Sequence, residues 1–88
     1  MANSLRNPVI KKLVMDKYQR IKDSEKSFIY VDMKKEKIND IRINDSINFS
    51  RIIIETESNT IYQLTPAEFL RKRVEVHKDG KVVTLRGL

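Results

Sequence analysis

Arg71, Lys72, Arg73, Lys78, Lys81 and Arg86 put six cations into the last eighteen residues, in the stretch RKRVEVHKDGKVVTLR, against only Glu75 and Asp79. Guanidinium and ammonium groups at that density suit phosphate recognition, in which each contact neutralises a backbone charge and releases its counterion. Lys11, Lys12 and Arg20 form a second basic set near the other end. Residues 1–26 hold seven Lys/Arg against three Asp/Glu, residues 27–70 five against seven, and residues 71–88 six against two. The net charge of +6 therefore belongs to the two ends. If the fold brings those ends together, they make one electropositive face.

The same charges have a plainer reading. Arg71 and Lys72 would end a helix, where cations offset the negative end of its dipole, and lysines beside a turn keep a sheet edge from pairing with other chains. Glu75 falls in the middle of the basic stretch, where a bare carboxylate would repel phosphate.

Other chemistries are poorly supplied. Gly80 and Gly87 are the only glycines, so no glycine-rich phosphate loop can form. Cysteine is absent, which removes disulfides, thiolate nucleophiles and cysteine zinc sites, and fits a reducing compartment. His77 is the one histidine, too few for an imidazole metal site, and its place in the alternation marks an exposed strand residue. Scattered serines do not combine with it into a nucleophile and base. Asp40, Asp45, Glu55 and Glu57 carry oxygens that suit magnesium or calcium, but their spacing matches no cation loop. The expectation is a protein that is not an enzyme and has no metal site and no cofactor.

Aromatic side chains among charges suit base stacking. Of Phe28, Tyr30, Phe49 and Tyr62, only Phe28 and Tyr30 occupy strand positions that can face outward, and core packing is the expected fate of each, so backbone contact with duplex DNA is favoured over single strands. No apolar run approaches the ~20 residues of a membrane span, and the amino end lacks a secretory core. A cytoplasmic protein that does not engage membranes is expected, in which the sequon Asn48-Phe49-Ser50 carries no weight.

The elements that must position these residues are marked locally. Eighty-eight residues support one domain, 1–88. Asn7-Pro8 is a cap and first helical residue, and Val9, Ile10, Leu13, Val14, Tyr18 and Ile21 recur at helical spacing, predicting an amphipathic helix over 8–23 with Lys11, Lys12, Asp16, Lys17, Arg20 and Lys22 outside. Phe28 to Met33 reads as a strand, Lys34 to Lys37 as a turn or the start of a helix reaching Ile41, and Asp40 to Asn44 as a weak strand. Arg51–Thr56 and Thr60–Leu64 form a hairpin. A three-residue loop with Asn59 left-handed pairs Ile54 with Tyr62 and Ile52 with Leu64, which keeps one face apolar. Thr65-Pro66-Ala67-Glu68 is a capping box opening a short helix over 66–73. Asp79-Gly80 then closes a two-residue loop pairing Val74 with Leu85, Val76 with Val83, and Lys78 with Lys81, while Arg73 with Arg86, Glu75 with Thr84 and His77 with Val82 line the opposite face.

The fold class expected is α+β: an N-terminal helix on an antiparallel sheet of about four to six strands, then a short helix and a C-terminal hairpin. TPAEFLRKR followed by VEVHKDGKVV resembles the end of a winged helix, in which a helix enters a groove and a basic wing reaches the backbone. The resemblance covers the last quarter of the chain and implies a winged helix-turn-helix variant as the alternative fold. The function that follows is a small basic nucleic-acid-binding accessory or regulatory protein, contacting phosphates through Arg71, Lys72, Arg73, Lys78, Lys81 and Arg86, supported by Lys11, Lys12 and Arg20. The alternative is an interaction module, an inhibitor or adaptor that docks an acidic protein surface or pairs an edge strand. A homo-oligomeric structural protein is a third reading.

Overall fold

The computed structural model describes residues 5, 7–45 and 50–86. Its elements run α1 (Pro8–Asp23), β1 (Lys26–Val31), β2 (Lys34–Asp45), β3 (Ser50–Thr56), β4 (Ile61–Leu64), α2 (Pro66–Arg71), β5 (Val74–Lys78) and β6 (Lys81–Leu85). The strands form one sheet in the order β4-β3-β2-β1-β5-β6, with every pairing antiparallel. This is the α+β architecture expected. α1 packs on β2 and β5, α2 packs on β3 and β4, and the helices touch each other. They cover one face of the sheet. Ile29, Ile52, Ile54 and Val74 from that face meet Val14 and Ile21 of α1 and Phe69 and Leu70 of α2 in a single core.

Local chemistry explains both helices. The Asn7 side chain accepts from the N–H groups of Val9 and Ile10, and Pro8 supplies the first helical φ. Two positions on α1 differ from the sequence reading. Val9 is 66% exposed, because it lies about 100° round the helix from Ile10 and so beyond the buried stripe. Lys17, placed outside by its charge, is only 7% exposed. In α2 the capping box is complete: Thr65 Oγ1 accepts from the Glu68 N–H at 3.1 Å, and Glu68 Oε1 from the Thr65 N–H at 3.0 Å. This helix ends at Arg71 rather than Arg73, with extended Lys72 as its C-cap.

The segment Lys34 to Lys37 is strand, neither turn nor helix. Val31 pairs with Lys34, so Asp32 and Met33 make the two-residue loop, with φ values of 50° and 67°, and β1 stops before them. Asp tolerates left-handed backbone but Met does not favour it, and the Met33 side chain is fully exposed. Met33→Gly is therefore expected to stabilise the fold by about 1 kcal/mol, raising the thermal midpoint by roughly 4–8 °C. A lower midpoint on calorimetry would contradict the strain at this turn. β2 continues for 12 residues, with a bulge between Ile38 and Asp40. The extra residue keeps both Ile38 and Ile41 turned toward the helices.

The other two hairpins follow their loops. Asn59 takes φ 66°, and Ile54 pairs with Tyr62 and Ile52 with Leu64. Asp79 and Gly80 adopt φ 53° and 74°, and the ladder from Val74–Leu85 to Lys78–Lys81 has the expected register, although Arg73 and Arg86 lie beyond its end. The β5–β6 hairpin is not a free wing. β5 is paired along its other edge with β1, from Lys26–His77 to Ile29–Val74, and the two helices among the described residues do not make the helical core a winged helix requires. The sequence resemblance came from a helix-plus-hairpin pattern that this sheet also uses.

Candidate nucleic-acid interface

Register decides where each predicted cation lies, since cross-strand partners point to the same side of a sheet. Lys78 and Lys81 face each other at the hairpin tip, both exposed. That tip is pinned to the α1–β1 junction, where the Asp79 N–H donates to Glu25 Oε1 at 2.6 Å and the Glu25 N–H to the His77 carbonyl at 2.8 Å. Arg20 of α1 and Arg86 after β6 line one cleft, floored by Leu13, Leu70 and Leu85 and shared with Asp16. Lys12, Asp16 and Arg20 follow one another at four-residue spacing on α1, so Lys12 extends the same side, while Lys11 is turned about 100° away. Arg71 is exposed at the end of α2 and Lys72 half-buried. Arg73 goes elsewhere, its guanidinium 4.5 Å above the Tyr30 ring on the sheet face that carries no helix. Six of the nine cations therefore fall on three surfaces, the α1 cleft (Lys12, Arg20, Arg86), the hairpin tip (Lys78, Lys81) and the open sheet face (Arg73), while Lys11, Arg71 and Lys72 lie apart from all three.

On that open face the fold assembles a cluster that the sequence reading missed. Phe28 pairs with Lys37 on one side and Glu75 on the other, Tyr30 with Lys35, and His77 with Lys26. All these side chains point away from the helices. Lys35 Nζ lies 4.6 Å from the Phe28 ring centre and 6.0 Å from that of Tyr30. The His77 ring meets Phe28 edge-on at 5.2 Å. Glu75, which seemed to oppose a phosphate site, is engaged from three directions: His77 Nε2 at 2.7 Å, Lys35 Nζ at 3.1 Å, and the Tyr30 hydroxyl, which donates to it at 3.2 Å. Hydrogen bonds from His77, then Lys35, then Tyr30 hold its carboxyl down to about 2, and the Glu75 bond raises the Lys35 ammonium. Glu75 thus orients the cluster's donors. The signal that could have found it is the pairing of KKEK with FIYV across a two-residue Asp-Met loop.

Lys17 has a different task. Its ammonium donates to the carbonyls of Phe69 (2.7 Å), Leu70 (3.3 Å) and Lys72 (2.6 Å), closing the C-terminal end of α2 from the neighbouring helix. Burial lowers its pKa to about 8, and the Phe69 ring centre lies 5.1 Å from Nζ. Lys17 is structural, and it does at the end of α2 what the sequence assigned to Arg71 and Lys72.

Three of the four carboxylates weighed as cation ligands are occupied separately: Asp40 pairs with Arg42 at 3.1 Å, Glu57 with Lys37 at 3.7 Å, and Asp45 accepts from Ser50 at 2.6 Å. Among the described residues no group of three or more His, Asp or Glu is placed to hold a metal ion. Tyr62 points to the helix side, where its hydroxyl donates to Glu36. Phe49 and the sequon Asn48-Phe49 lie outside the described residues. No described helix is long and apolar enough to cross a membrane.

No described protein family and no solved structure matches the chain. A curated relative does: "Uncharacterized protein 2" of Sulfolobus islandicus filamentous virus (isolate Iceland/Hveragerdi) is 34% identical over 70 residues, covering 80% of this chain and 86% of the viral protein.

Proposed function

We propose, from the premise that this chain belongs to the family of that filamentous-virus protein, that it is a small basic nucleic-acid-binding protein with an accessory or regulatory role. The observation that supports this reading is the meeting of one arginine from each basic end, the other predicted cations being spread over the molecule. Arg20, from the first helix, and Arg86, from the end of the last strand, line one cleft, and Asp16 is the acidic residue beside them. Arginines converging from distant parts of a sequence form a phosphate grip of the bidentate kind. Lys78 and Lys81 add two exposed ammonium groups at the hairpin tip. Contacts of this type give affinity without reading sequence.

A salt titration of binding to random duplex DNA, single-stranded DNA and RNA tests the reading. With about four to six phosphates neutralised, affinity is expected to fall roughly 100- to 1,000-fold between 50 and 200 mM salt. The triple variant Lys78→Glu, Lys81→Glu, Arg86→Glu is expected to weaken binding and flatten that slope. A flat response of the native chain removes the proposal.

A second reading, an interaction module that adds a strand to a partner's sheet, is favoured by one feature. Edge strand β6 leaves Val82 57% and Val83 39% exposed. The two readings separate on freshly purified protein, because only the first expects nucleic acid to co-purify at low salt.

A further inference from the structure

We infer that the helix-free face of the sheet takes single-stranded nucleic acid, with Phe28 and Tyr30 stacking against bases and Lys26, Lys35, Lys37 and Arg73 meeting the phosphates. This rests on the nucleic-acid reading above and names the strand state and the face.

The two rings stand at i and i+2 on β1, so both point to the open side, with attachment points roughly 7 Å apart. That is about twice the 3.4 Å rise of stacked bases, so neighbouring bases must separate from each other for each to meet a ring. A single strand can do this at little cost, but a duplex cannot. Both rings are half-buried, with the Lys35 ammonium over one face of Phe28 and the Arg73 guanidinium over one face of Tyr30. Arg73 lies over Tyr30 at 4.5 Å, and a guanidinium plane is itself a stacking surface for bases.

Charge on the face is complementary to a backbone. Lys35 and Lys37 come from β2, Lys26 from β1, and Arg73 from the residue before β5. Against them stand Glu75, already satisfied by His77, Lys35 and Tyr30, Glu57, 3.7 Å from Lys37 at the margin, and, farther along the same face, the cross-strand pair Asp40 and Glu55, of which Asp40 is paired with Arg42. The shape points the same way, since a duplex major groove about 12 Å wide admits a helix or a two-stranded ribbon, and a multi-strand sheet face is neither.

The test compares affinities of the full chain for short oligothymidylate and for a random duplex of equal length, at one fixed salt concentration. Phe28→Leu and Tyr30→Leu keep apolar bulk but remove the π surface. Each is expected to weaken oligothymidylate binding by about 5- to 100-fold, the equivalent of one lost stacking contact, with little change for duplex. Tyr30→Phe retains the ring and is expected to bind oligothymidylate nearly as the native chain does. Thermal melts of the variants establish that each is folded. Independently of any substitution, photocross-linking to iodouracil-substituted oligonucleotide is expected to mark the β1 peptide. If binding is salt-dependent but equal for duplex, unaffected by the leucine variants, and cross-linked at the hairpin tip, this inference is overturned while the nucleic-acid reading stands. Absence of salt-dependent binding to any nucleic acid overturns both.

Discussion

Val76→Asp is expected to unfold the chain at room temperature, while Val83→Asp, on the residue directly opposite in the same ladder, is expected to shift stability by no more than about 1 kcal/mol. The two valines share a face of the hairpin but not an environment. Val76 is 6% exposed, on a strand flanked on both sides, whereas Val83 stands on the edge strand and is 39% exposed. A carboxylate at Val76 must be either buried without a partner or protonated, and either costs several kcal/mol out of a total of about 4–13 kcal/mol for a domain this size. At Val83 it can turn to water. The sequence alone treated the two positions alike, and a paired melting experiment separates them. Equal losses would mean that the edge is covered.

The second large effect lies at Phe69. Its ring is fully buried between α2 and the sheet, and its carbonyl is one of the three that receive Lys17. Phe69→Ala is expected to cost about 3–5 kcal/mol through lost burial and the cavity left behind. For a chain of this length that lowers the thermal midpoint by roughly 15 °C or more. Phe69→Leu, which fills most of the volume, is expected to lose clearly less. Identical melts for the two would mean that the ring is not what holds α2 in place.

Much of the fold could be read from the sequence, because its punctuation is local. Asn7-Pro8, the Thr65–Glu68 box, Asn59 and Asp79-Gly80 each act within four residues, and the helix starts and hairpin registers follow from them. Lys34–Lys37 was misread for the converse reason. Its loop uses Met33, a residue with no turn chemistry, and its lysines are strand residues on a half-open face. Lys17 was misread because nothing near it in sequence shows that three carbonyls wait more than fifty residues away. The aromatic and basic cluster was out of reach in the same way. The sequence favours core packing for Phe28 and Tyr30 over the outward placement they take, because their neighbours Arg73, Glu75 and His77 arrive only through the pairing of β1 with β5.

That pairing sets the order of assembly. β1 is complete by residue 31, yet the strand that satisfies its second edge begins at Val74, so a nascent chain holds an unmatched row of amides until nearly all of it has left the ribosome. A chain stopped short of Val74 keeps that row as an open sheet edge, free to pair with the same edge of another copy, which makes edge-to-edge aggregates the expected product of C-terminal truncation.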